Sequence, residues 1–120
     1  MIKKEKTTKH ILKLIPELML DRKALDIVII DVRKLTSLTD YFILCTSEST
    51  PQTKAITNHI YKKMREAGWR PNNFEDTATL EWVAMDYFNI IIHVFNNETR
   101  DYYQFERLWG DGVIKKINEK

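Results

Sequence analysis

A chain of 120 residues, 43% hydrophobic and 30% charged, holds one domain, long enough to bury about two-thirds of the surface its unfolded form exposes. Only 3 Gly and 3 Pro exclude long disordered or low-complexity stretches, and a single cysteine, Cys45, excludes an internal disulfide. The formal net charge of +2 hides an asymmetry, because Lys3, Lys4, Lys6, Lys9 and Lys13 crowd the start and Lys115, Lys116 and Lys120 the end. Both tails are read as solvated termini that would add sequence-independent affinity near a polyanion.

Between Thr7 and Lys23, Ile11, Leu14, Ile15 and Leu18 recur at three- and four-residue spacings, which predicts an amphipathic helix with a kink or a start near Pro16. Asp26 to Val32 is β-branched and nearly continuous, the pattern of a central strand covered on both faces, and Tyr41 to Thr46 is a second strand. Within it Cys45 reads as a buried structural thiol. Thr50 caps the next helix with Pro51 at its first position, Ile56, Ile60, Met64 and Ala67 form its apolar stripe, and Gly68 ends it. Trp69 to Glu75 is a short strand or extended link, and Asp76 to Thr79 a turn.

Leu80 to Phe95 reads as a hairpin turning at Phe88-Asn89. Alternation then places Val83, Met85 and Tyr87 with Ile90, Ile92 and Val94 on a core face. The opposite face carries Trp82, Ala84 and Asp86 beside Ile91, His93 and Phe95, with Ala84 across from His93 and Asp86 across from Ile91. A large aromatic, a small gap and a carboxylate make that face a protein-binding patch. Asn96 or Asn97 caps a last helix whose apolar stripe is Tyr102, Phe105, Leu108 and Trp109. The order αββαβββα predicts an α/β domain with a mixed sheet and helices packed on it.

Little in the chain is arranged for catalysis. His10, His59 and His93 fall on separate elements without metal-ligand spacing. Asp26 and Asp31 point to opposite faces of one strand, and Asp86 lies elsewhere. The loop at 46–50 has no glycine and carries Glu48, so it reads as a turn and helix cap, not a phosphate cradle. Trp69 and Trp109 read as packing residues, whereas Trp82 stands on the patch. The N-terminus lacks a signal-peptide pattern and no segment reaches the ~20 apolar residues of a membrane span, which predicts a cytoplasmic protein.

Five motifs occur together: Asp26-Ile-Val-Ile-Ile-Asp-Val, Leu38-Thr-Asp40-Tyr-Phe-Ile, Trp82-Val-Ala-Met-Asp86-Tyr87, His93-Val-Phe, and Thr99-Arg100-Asp-Tyr-Tyr-Gln-Phe-Glu106-Arg-Leu-Trp109. In order and spacing they resemble the ribosomal silencing factor, or Iojap, family from about Leu20 to Asp111. Departures are Phe88-Asn89 at the turn, where the family carries Gly-Asp, Thr46-Ser47-Glu48 where a glycine precedes the serine-rich loop, and Phe74-Glu75-Asp76 in place of Val-Glu-Gly. The resemblance implies a nucleotidyltransferase-like fold without catalytic residues and without a cofactor. It also implies a protein that binds the fourteenth protein of the large ribosomal subunit, blocks subunit joining and represses translation. Trp82 and Asp86 are its implied contact residues. Ala84 and His93 of the patch, and Tyr87 and Arg100 of the matched motifs, complete the expected partner-binding set.

Two further readings remain: a metal-dependent nucleotide enzyme using Asp26, Asp31 or Asp86, and an RNA-binding module driven by the basic tails. Ribosomal RNA contact by those tails is also compatible with the first reading, and an apolar hairpin face with exposed aromatics permits a two-fold homodimer.

Overall fold

A computed structural model describes the backbone of residues 2–76 and 79–117 and the side chains of residues 8–74 and 79–117. The elements in chain order are α1 (Ile2–Asp21), β1 (Leu25–Asp31), β2 (Tyr41–Ser47), α2 (Thr50–Glu66), β3 (Asn73–Asp76), β4 (Trp82–Asp86), β5 (Ile90–Asn96), α3 (Asn97–Tyr103), α4 (Phe105–Leu108) and β6 (Val113–Lys116). The strands form one mixed sheet in the order β3-β4-β5-β2-β1-β6, in which β2 and β5 run parallel and the other neighbours antiparallel. This is the mixed sheet with packed helices that the sequence pattern predicts. β1 differs from expectation in lying second from an edge.

The edge belongs to β6, built from residues read as part of a solvated basic tail. Val113 to Lys116 pair with Asp31 to Val28, and the Ile117 amide donates to the Ile27 carbonyl at 2.9 Å. Gly112 makes the approach possible, since a Cβ there would lie 2.7 Å from the Asp31 carbonyl oxygen. Lys115 and Lys116 are therefore exposed residues of an edge strand, where lysine discourages further pairing. Lys9 and Lys13 are exposed on α1, while the side chains of Lys3, Lys4 and Lys6 and the whole of Lys120 lie outside the described residues, as do Thr77 and Ala78 of the expected turn.

Both faces of the sheet are covered, but unequally. On one, Ile11, Ile15, Leu18 and Met19 of α1 and Ile56, Ile60 and Met64 of α2 close over Ile29, Ile43, Cys45, Met85, Ile92 and Val94. Burial pushes the Cys45 thiol up to about 12, so it stays protonated and inert as expected. α1 passes through Pro16, which is buried. Packing of the long stripe outweighs the local cost of proline, so the helix does not begin there.

The start of α2 is displaced by one residue from expectation. Ser49 caps it, accepting from the Gln52 amide at 3.1 Å, and Thr50 is the first helical residue. Gln52 also accepts from the Glu48 amide at 2.6 Å, so the 46–50 loop is consumed by its own turn and cap, as expected. At the other end Gly68 takes φ +94, its amide donates to Arg65 and that of Trp69 to Met64, a two-bond left-handed cap. Ala67 is exposed, so the apolar stripe ends at Met64.

The other face is covered by α3 and α4, seven and four residues long. Asn96 caps α3, its side-chain oxygen accepting from the Thr99 amide at 2.8 Å. The expected single helix breaks at Gln104, which is left-handed with φ 47. The break dissolves the predicted stripe: Phe105 is buried against Phe42 and Phe95, Trp109 is half-buried, and Tyr102 and Leu108 are exposed at 81% and 73%.

Arg100 fastens these helices to the sheet. Only 8% exposed, it donates through Nε and Nη2 to the two carboxylate oxygens of Glu106 at 3.0 and 2.8 Å. Its Nη1 donates to the Asp26 carbonyl at 2.7 Å and the Thr46 hydroxyl at 2.8 Å. The Asp26 carbonyl is available because β1 carries a bulge between Leu25 and Val28, with Asp26 at φ 50.

Arg100→Met is expected to lower stability by about 2–4 kcal/mol in urea unfolding, since it strands the Glu106 carboxylate and two acceptors of a largely buried network. Arg100 holds the Glu106 carboxyl below its ordinary value of 4.5. The folded pKa is depressed, so this contribution is fully present above about pH 4.5 and is lost as pH falls through the folded value. A stability gap between wild type and Glu106→Gln that stays constant near neutrality and closes below about pH 4.5 is the expected result of unfolding measured across pH.

Candidate functional site

The β4–β5 hairpin forms in the expected register. Ala84 pairs with His93 and Asp86 with Ile91, and the Tyr87 amide closes the two-residue turn by donating to the Ile90 carbonyl at 2.8 Å. Phe88 occupies the first turn position at φ 74, a conformation that glycine adopts without strain. Neighbouring contacts hold it there. The Asp86 carboxylate accepts from the Phe88 amide at 2.8 Å, the Asn89 side chain donates to the Thr8 hydroxyl at 2.9 Å, and the Asn89 carbonyl accepts from the Asp40 and Tyr41 amides.

Alternation sorts the side chains as predicted on the inner face, where Val83, Met85 and Tyr87 join Ile90, Ile92 and Val94 in the larger core. That assignment removes Tyr87 from the expected contact set: its side chain is 1% exposed, and burial pushes its hydroxyl up to about 12. On the opposite face the structure divides the predicted patch. Trp82, Ala84 and Asp86 on β4 are half-exposed, whereas Ile91, His93 and Phe95 on β5 are buried beneath α3 and α4. The correction extends to His93, which is 6% exposed, and to Arg100, which clamps the covering helices. Neither reaches the surface as a contact, because α3 and α4 fold over the β5 side of the hairpin.

Trp82 leans against this cover. Its indole Nε1 donates to His93 Nδ1 at 2.9 Å, and its ring lies 5.0 Å from those of Phe95 and Tyr103. From Trp82 to Asp86 the exposed side of the hairpin therefore presents an indole, a methyl and a carboxylate over about 13 Å at strand spacing, while the exposed Phe88 ring at the tip borders a groove with Thr8, Lys9 and Leu12 of α1. Tyr102 and Tyr103 extend the aromatic end. Helical periodicity concealed both tyrosines, since a continuous helix would have turned Tyr102 inward; the left-handed Gln104 was the missing signal.

The aspartates of the metal reading are dispersed. Asp26 borders an open cleft of about 970 Å³ with Thr46, Arg100, Glu106, Arg107 and Lys116. Asp31 borders a separate groove beside α1 and is paired with Arg33 at 2.8 Å, which holds its carboxyl below the usual range. The two thus face apart, as expected, despite the bulge between them. Asp86 sits on β4 in the hairpin turn. His10 is exposed on α1, and His59 on α2 meets Asp21 at 3.0 Å. Among the described residues no group of His, Cys, Asp and Glu is placed to hold a metal ion, and no helix is long and apolar enough to cross a membrane.

Residues 5–120 match the family described as ribosomal silencing factor during starvation. A ribosomal silencing factor of Bacillus subtilis is 32% identical over 92% of this chain and 93% of its own length, and one of Chromobacterium violaceum is 40% identical over 84% and 83%. A murine protein named for mitochondrial assembly of the ribosomal large subunit is 28% identical over 77% of this chain, which spans 42% of that protein. The crystal structure of a Chromobacterium violaceum protein superposes with a TM-score of 0.81 at 39% identity, covering 85% of each chain. With the motif order, the hairpin register and the match along nearly its whole length, this chain belongs to the ribosomal silencing factor family.

Proposed function

We propose that this protein binds the large ribosomal subunit through the subunit's fourteenth protein, using the Trp82–Ala84–Asp86 row, and represses translation in the cytoplasm by excluding the small subunit. The observation that carries the reading is the row itself: a half-exposed tryptophan, a small residue and a carboxylate on one strand of a sheet packed on both faces. A tryptophan already held against Phe95 and Tyr103 loses little side-chain entropy on contact, the property expected of a binding hot spot. The murine relative's name, which speaks of the ribosomal large subunit, supports the choice of partner.

The mechanism is steric. A contact of about 800 Å² per partner suffices for a specific complex, and a bound domain of this size on the joining face needs no chemistry to keep the small subunit away. Asp86 pairs with a basic group on the partner, fixing orientation and adding salt dependence. Exposed Lys9, Lys13, Lys115 and Lys116 supply a weaker, sequence-independent attraction to ribosomal RNA.

Co-sedimentation of the protein with isolated subunits tests the reading, with subunit joining scored in the same gradients. Selective binding to the large subunit and loss of joined ribosomes are expected. Trp82→Ala should weaken binding by about 2–4 kcal/mol, with folding checked by thermal denaturation because the indole also packs on the second core. Asp86→Asn keeps an oxygen for the Phe88 amide while removing the charge, so weaker and less salt-sensitive binding with the turn intact is expected. Unchanged co-sedimentation of both variants would overturn the assignment.

A further inference from the structure

We propose that His93 is a positioning residue for Trp82: from beneath the contact face it holds the indole in the orientation that meets the partner. The inference rests on the binding role proposed for Trp82. It begins from a mismatch between residue and surroundings. His93 is buried in an aromatic shell, its ring centroid 4.5 Å from that of Phe105, 5.5 Å from Phe42 and 5.6 Å from Phe95. Within that shell Nε2 has no hydrogen-bond partner among the described residues. Burying a polar ring with one nitrogen unsatisfied costs free energy that a phenyl ring at the same place would not. What the imidazole supplies in return is Nδ1, the acceptor for the Trp82 indole N–H at 2.9 Å.

The sheet geometry explains how they meet. His93 stands opposite Ala84, and Trp82 lies two residues before Ala84 on the same face, the diagonal relation in which long side chains touch across an antiparallel pair. Ala84 adds little bulk between them. Because Nδ1 accepts, the imidazole is neutral with its proton on Nε2, a state that burial favours by pushing the pKa down to about 3. The indole then has its polar edge directed inward to His93 and its ring braced by Phe95 and Tyr103. What it offers a partner is apolar ring surface, with the N–H already used. Without the acceptor the half-exposed indole turns its N–H toward water and the apolar surface is no longer presented.

A double-mutant cycle on large-subunit binding, read with ¹H–¹⁵N spectra of the three tryptophan indoles, tests the inference. His93→Phe suits the aromatic shell but removes the acceptor, and is expected to weaken binding about tenfold while moving the Trp82 indole resonance to a solvent-like position. His93→Asn places an amide oxygen near the site of Nδ1 and should recover most of the affinity. In a Trp82→Phe background, which has no N–H to orient, the His93→Phe change should cost nothing further. An equal loss in both backgrounds would assign His93 to packing alone, and wild-type binding by His93→Phe would likewise overturn the inference while leaving the contact role of Trp82 standing. If the wild-type protein does not bind the large subunit, the reading beneath the inference fails and the inference with it.

Discussion

The arrangement around the Trp82–Ala84–Asp86 row depends on the Arg100 guanidinium. Helices of seven and four residues have no independent stability in water, and α3 and α4 meet end to end at a left-handed residue. Four donated hydrogen bonds from Arg100 join α3 to Glu106 of α4, to the bulged carbonyl of β1 and to the end of β2. That clamp holds Phe105 over Phe42 and Phe95 and brings Tyr103 against Trp82. The expected partner-binding set includes Arg100; its burial gives it an architectural role one layer further in.

The unequal cover of the two sheet faces links fold to function. Long α1 and α2 seal one face, whereas the short α3–α4 pair seals the other only as far as β5 and leaves β4 half-open. A strip of indole, methyl and carboxylate is available without unfolding anything, on a strand fixed by neighbours on both sides. Pre-organisation of this kind reduces the entropic cost of any association made on that strand.

Several sequence signals were legible because they are local. The hairpin register followed from alternation and a two-residue turn, and it survived the replacement of the expected glycine by Phe88 because Asp86, Asn89 and the Asp40 and Tyr41 amides brace the turn. Cys45, Trp69 and Trp109 packed as their apolar surroundings implied. The misread segments were those where a distant contact overrides the local pattern. Of the two expectations for Pro16, a start there is excluded, because the sheet holds the helix on both sides of it. The Tyr102–Trp109 stripe fails because Gln104 adopts a left-handed conformation, and the basic C-terminal segment pairs as β6 because Gly112 lets it reach β1.

By itself the sequence determined the periodicities, hence the order of elements, the core face of the hairpin and the five motifs that mark the family. These are properties of residues close together in the chain, where hydrophobic spacing and turn chemistry act. Only the tertiary structure decided which side chains of the opposite hairpin face meet solvent, because that depends on where two short helices are clamped by an arginine more than seventy residues from its carbonyl partner on β1. It placed Trp82, Ala84 and Asp86 outside and Tyr87, His93 and Arg100 within, since exposure is set by the cover above a strand as much as by the alternation along it.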